Sequence, residues 1–196
     1  VENRTIFLGF DVASQAPRGT EAGGRNPFAD LRVRRAMNIA IDRDQIQRVV
    51  MRGEALPSGI IIPPLVNGWT GELDTPPPFA PARARQLLAE AGYPEGFATT
   101  LYCPNDRYVY GEETCRALVL MLGRVGIRVK LVAQPQAEQS SALRRTPGPD
   151  LFLAGWAGEA VQALPQLKYV PVLSEPLADD GWGGRTGLVH DAVLAD

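Results

Sequence analysis

The stretch NPFADLRVRRAMNIAIDRDQI, Asn26 to Ile46, decides how this chain is read. Asp30 stands where a side-chain oxygen accepts the first free amides of a helix, and Leu31, Val33, Ala36, Met37, Ala40 and Ile41 recur behind it at helical spacing. These residues make one buried face. Asp42, followed three residues later by Gln45, has the acceptor spacing of a capping box, and Ile46, Val49 and Val50 carry a second apolar stripe up to Gly53. Two helices therefore meet near Asp42. Arg32, Arg34, Arg35, Arg43 and Arg48 fall mostly off the apolar stripes with acidic residues nearby, so the spacing predicts a solvated helix face rather than a nucleic-acid stripe.

Working outward, FAPARARQLLAEAGYPEGF, Phe79 to Phe97, sets Pro81 in a first helical turn and Ala84, Leu87, Leu88 and Ala91 on one side. Gly92 serves as its left-handed C-terminal residue, and Pro94 blocks continuation. Thr99 to Cys103 then reads as a strand, Glu112 to Val125 as a helix, and Ile127 to Val132 as a strand with Ile127, Val129 and Leu131 facing one way. This is a β-α-β unit. A further helix is expected over Gln136 to Arg144, and LFLAGW, Leu151 to Trp156, is a short apolar run suited to a buried strand.

With 196 residues and a formal net charge of −2, the chain suits one domain and lacks the basic surface that nucleic acid or anionic membrane would demand. No apolar run reaches the ~20 residues of a membrane helix. The 20 Gly and 17 Pro gather at Pro57 to Pro64, Pro76 to Pro81 and Pro147 to Pro149, which marks these as loops between elements. Ser14 to Arg25 reads as a surface loop following an N-terminal strand.

Little here looks catalytic. The single histidine, His190, has no nucleophile nearby in sequence, the acidic pairs Glu112–Glu113 and Asp179–Asp180 read as solvated, and no phosphate-binding or metal-binding motif occurs. No metal and no cofactor is expected. Cys103 and Cys115 are the only thiols; their spacing permits a bridge, with a buried thiol pair as the other reading. The strongest position for binding is GWAGE, Gly155 to Glu159, directly after the buried strand, because open α/β sheets place ligand contacts at strand ends.

The Asn26 to Ile46 stretch resembles the family 5 extracytoplasmic solute-binding proteins, the receptors of ABC importers for peptides, nickel and related solutes. A segment of the form PFxDxRVRxAxxxAIDRxxI is matched by Pro27, Phe28, Asp30, Arg32, Val33, Arg34, Ala36, Ala40, Ile41, Asp42, Arg43 and Ile46. The segment ending EAGYPEGF is similar to a second family motif, and His190 to Asp196 looks like a late family helix. The resemblance implies an α/β fold, a mixed sheet flanked by helices, equivalent to lobe II of a type 2 periplasmic-binding-protein-like receptor of cluster C. Residues 1–196 would then be that second lobe as one domain, with a strand and loop in 1–25 and a weakly ordered loop region in 171–185.

It further implies a non-enzymatic, monomeric, periplasmic receptor, or an extracytoplasmic and membrane-associated one in a Gram-positive host. Such a receptor would capture a small ligand, foremost a peptide, between two lobes and deliver it to ABC transporter permease subunits. In peptide-binding relatives a similar GWxxD segment supplies an Asp to the ligand's α-ammonium group, and Glu159 occupies that position here. Trp156 would add an aromatic wall, with Gly155 and Ala157 beside it and Arg144 as a second basic contact. The sequence departs from the pattern, since Glu is one methylene longer and Gln162 and Ala163 replace the family's acidic and proline positions. Packing of Trp156 in the core, with Glu159 a plain loop carboxylate, is the competing reading. The rival function is the ligand-sensing part of a transcription regulator built on the same lobe.

Overall fold

The structure, a computed structural model, describes residues 4–157 apart from 16, 65, 67, 146 and 147, together with 186–188. Its centre is a five-stranded sheet in the order β3-β2-β4-β1-β5. The strands are β1 Arg4–Asp11, β2 Ala98–Pro104, β3 Arg128–Gln134, β4 Leu151–Ala157 and β5 Thr186–Leu188. β2 runs parallel to both β3 and β4, whereas β1 pairs antiparallel with β4 and β5. The mixed sheet expected from the family resemblance is present.

Helix α4, Gly111–Gly123, connects β2 to β3, and α5, Gln136–Leu143, leads from β3 back across β2 to β4. The two crossovers run in opposite directions along the sheet, so the right-handed rule puts α4 and α5 on opposite faces. The α4 face also receives α1, Leu31–Ile39, and α3, Pro81–Glu90. Leu8, Phe10, Leu101, Leu151 and Leu153 from the strands meet Phe28, Met37, Leu88, Leu118 and Leu122 there in one core. Phe10, Phe28, Phe97 and Tyr93 form an aromatic chain with neighbouring centroids 5.3 to 5.9 Å apart.

The Asn26–Ile46 stretch folds as its spacing predicts at both caps. Asp30 accepts from the Arg32 amide and Asp42 from the Gln45 amide. Two details differ. Arg34 is buried and donates to the Phe28 carbonyl, and Arg43 donates to the Asn38 side chain and to the carbonyls of Asn38 and Ile41, so both work as internal staples rather than solvated charges. Arg32, Arg35 and Arg48 are exposed as expected. The second helix is short, α2 Arg43–Gln45, and continues as a π-type turn, Ile46–Val50. Its wider turn breaks the 3.6-residue register, which leaves Val49 67% exposed instead of on the buried stripe.

That turn ends in Arg52 and Gly53, both left-handed, at φ 53° and 85°. Tyr110, just before α4, is also left-handed at φ 50°. For residues with a bulky side chain this conformation costs roughly 1–2 kcal/mol each. Gly92 closes α3 at φ 90°, as its place in the sequence requires. The expected helix over His190–Asp196 and the 171–185 loop region lie outside the described residues.

Candidate functional site

β2 is the strand from which the chain turns one way to β3 and then returns past it to β4. In such sheets the crevice outside the carboxyl ends of the strands, where the order switches, is the position left open for a ligand. Here that position lies between the residues after β2, Asn105–Tyr110, and the end of β4, Gly155–Ala157.

Three side chains converge there. The Arg4 guanidinium donates to the Gly155 carbonyl at 3.3 Å and lies 5.8 Å from the Tyr108 ring centroid. The Arg107 guanidinium approaches the same ring at 5.8 Å. Gly155 is what makes this possible. A β-carbon at that position would sit 2.7 Å from Ile6 Cδ1, 2.8 Å from Tyr108 Cε1 and 2.9 Å from Arg4 Cδ. Two guanidinium groups on one phenol ring create a cationic shelf whose in-plane N–H edges suit an anion or carboxylate.

On the other face of the sheet, Trp156, Phe7 and Ile62 pack around buried Ile61. The isoleucines belong to a loop without helix or strand that is drawn together by one carboxylate. Asp74 Oδ1 accepts from Ser58 Oγ at 2.7 Å and from the amides of Gly59 and Ile60 at 2.7 and 3.2 Å, while Oδ2 accepts from Trp69 Nε1 at 2.8 Å. Trp156 packs against this loop yet stays half-buried at the strand end.

Of the site residues expected from sequence, Gly155, Trp156 and Ala157 are brought together at this end of β4. Glu159 lies outside the described residues. Arg144 caps the far end of α5, which descends from Asp106, whose carboxylate receives the Gln136 amide, toward Gly148 and Asp150 at the amino end of β4. It therefore stands at the opposite end of the strand from Trp156. Cys103 and Cys115 form a disulfide that ties the end of β2 to α4. Arg4, Arg107 and Tyr108 were not legible as a site, because Arg4 and Tyr108 meet only through the strand order.

A cavity of about 620 Å³ lies elsewhere, between α5 and the Arg18–Gly19 turn, lined in part by Tyr102, Gln134, Arg145 and Asp150. Asp150 is buried and accepts from the Gly19 amide and Thr20 Oγ1; burial pushes its carboxyl above the ordinary range, with those hydrogen bonds opposing. It is a structural tie rather than part of the strand-end site. Among the described residues no group of three His, Cys, Asp or Glu side chains is placed to hold a metal ion. Nor is any described helix long and apolar enough to cross a membrane.

Residues 1–170 match the family described as bacterial extracellular solute-binding proteins, family 5 Middle. The glutathione-binding protein GsiB of Salmonella choleraesuis (strain SC-B67) is 33% identical over 150 residues, covering 73% of this chain and 29% of that protein. The PBP AgaA from A. tumefaciens R10, solved with agropinic acid, is 27% identical with a TM-score of 0.70, over 86% of this chain and 32% of that one. The dipeptide binding protein of Pseudoalteromonas sp. SM9913, solved with Met-Leu, is 25% identical with a TM-score of 0.66, over 81% and 29%. The chain thus spans about three tenths of the length of the curated relatives it matches. With its sheet order, its capped Asp30 and Asp42 helices and the family match over most of its length, this chain belongs to the family 5 bacterial extracellular solute-binding proteins.

Proposed function

We propose that this chain is one lobe of an extracytoplasmic receptor that delivers a small peptide-like solute to an ABC importer, binding it without chemical change. The ligand sits against the carboxyl ends of β2 and β4 and is enclosed by a second lobe that closes over it. Trp156 forms an aromatic wall, the backbone of Gly155 and Ala157 offers hydrogen-bonding groups, and Glu159 pairs with an ammonium group. The Arg4–Tyr108–Arg107 shelf receives a carboxylate.

The observation that carries this reading is the convergence of two guanidinium groups on Tyr108 beside Gly155, at the switch point of the sheet. A ligand with an ammonium at one end and a carboxylate at the other matches the opposite charges of Glu159 and of that shelf. Two of the similar proteins agree in kind, since glutathione and Met-Leu are both short peptides, while the agropinic acid of a third is a carboxylate that is not a peptide.

Native mass spectrometry of the full-length receptor, purified without refolding, tests the ligand class. Short peptides should be carried or bound. Replacing a peptide's terminal carboxylate by an amide should then weaken binding by about tenfold or more, the worth of a charge-assisted hydrogen bond. A receptor that binds no peptide, or one indifferent to the amide, contradicts the reading. Unchanged affinity in Glu159→Gln for an amine-bearing ligand removes Glu159 from the site.

A further inference from the structure

Arg52 and Tyr110 are the non-glycine residues with left-handed backbone among the described residues, and they touch each other. The Arg52 guanidinium lies 5.2 Å from the Tyr110 ring centroid. Strained backbone persists only where its surroundings hold it, and it gathers at functional sites. Here both outliers flank the short loop that carries Arg107 and Tyr108.

The rest of that loop is fastened at several further points. The Asn105 amide bonds to the Gln134 carbonyl at 3.0 Å, and Asp106 Oδ1 takes the Gln136 amide at 2.7 Å. The Tyr108 carbonyl accepts from the Gly111 amide at 3.1 Å, and the Cys103–Cys115 disulfide closes the base of the connection. Arg52 reaches the loop from the other side because the π-type turn ends there, with the Met51 sulfur 3.9 Å from Thr114 Oγ1. A binding loop fixed in this way loses little freedom when a ligand arrives, and that raises affinity.

We propose that Arg52 and Tyr110 are positioning residues: their stacked, left-handed clasp sets the 105–110 loop, and with it Arg107 and Tyr108, before the ligand binds. This rests on the reading of the shelf as a carboxylate site. The cation–π contact needs the ring but not the phenol hydroxyl, and Asn tolerates the left-handed backbone without offering a ring. Tyr110→Phe should therefore preserve the clasp, whereas Tyr110→Asn and Arg52→Ala should lose it while leaving the fold intact.

Two measurements on the full-length receptor decide the matter. In amide hydrogen exchange without ligand, residues 105–110 should exchange roughly threefold faster or more in Tyr110→Asn and Arg52→Ala than in the wild type, with Tyr110→Phe unchanged. In calorimetry with tri-alanine and its C-terminal amide, the same two variants should bind the free acid roughly threefold to tenfold more weakly and narrow the acid-to-amide preference, whereas Tyr110→Phe should bind as the wild type does. Wild-type exchange in both ring-losing or cation-losing variants overturns the clasp, whether or not tri-alanine binds. Faster exchange with an undiminished acid preference overturns its positioning role. A wild-type receptor that does not prefer the acid sinks the carboxylate reading instead, and the exchange result still stands for or against the clasp.

Discussion

At the residue scale, Gly155 and Asp150 show how single positions on β4 serve different ends. Gly155 is glycine because Arg4, Ile6 and Tyr108 occupy the space of a side chain, and the atoms in the way belong to side chains rather than backbone. Gly155→Ala should thus cost little stability but displace the shelf, weakening a carboxylate-bearing peptide more than its amide in calorimetry. Asp150 is held by burial with its acid form favoured, so it opposes folding most when ionised. Its folded pKa lies above the ordinary value of 3.8, and the penalty fades as pH falls through that raised value. Asp30 has the opposite sign: the Arg32 hydrogen bond lowers its pKa, and its contribution is lost as pH falls through the lowered value. Asp150→Asn keeps an acceptor for Gly19 and Thr20 and should lie within about 1 kcal/mol of the wild type at neutral pH, while Asp150→Ala should cost about 1–3 kcal/mol. Denaturant midpoints at several pH values check both, with any advantage of the Asn variant shrinking on acidification.

At the element scale, apolar spacing and punctuation were enough to place β2, α4, β3, α5 and β4, each within one or two residues. These elements bury continuous or periodic apolar residues, and Gly and Pro mark their ends. What spacing could not show was where the buried cations went. Arg34 and Arg43 satisfy carbonyls of their own neighbourhood, which depends on how the turn at Pro27–Ala29 and the end of α1 are oriented. The π-type turn was equally hidden, because the residues Ile46–Val50 are compatible with an ordinary helix. The disulfide was legible as spacing alone, and the structure supplies it by bringing the end of β2 against α4. With its two ends 12 positions apart in sequence, the bridge should stabilise by roughly 3 kcal/mol in the chain-entropy treatment. Comparing denaturant midpoints with and without reductant measures this; an unchanged midpoint would mean that the unfolded chain is not constrained by it.

At the scale of the whole molecule, the sequence identified the scaffold through helices that only cap and pack, while the shelf emerged from topology. Arg4 opens β1 and Tyr108 follows β2, and they meet because β1 and β2 lie on either side of β4. Trp156 and Gly155 could be singled out from sequence because open α/β sheets place ligand contacts at strand ends. On the proposed reading of the chain as one lobe of a two-lobed site, the 196-residue chain alone should show no sub-micromolar peptide binding in calorimetry. The most direct test of the strand-end site is a fluorescence titration of the full-length receptor with a bound peptide, comparing wild type with Trp156→Phe. A saturable change in emission that disappears in the variant is the expected result. An identical change in both proteins would place the ligand away from the end of β4 and contradict the account.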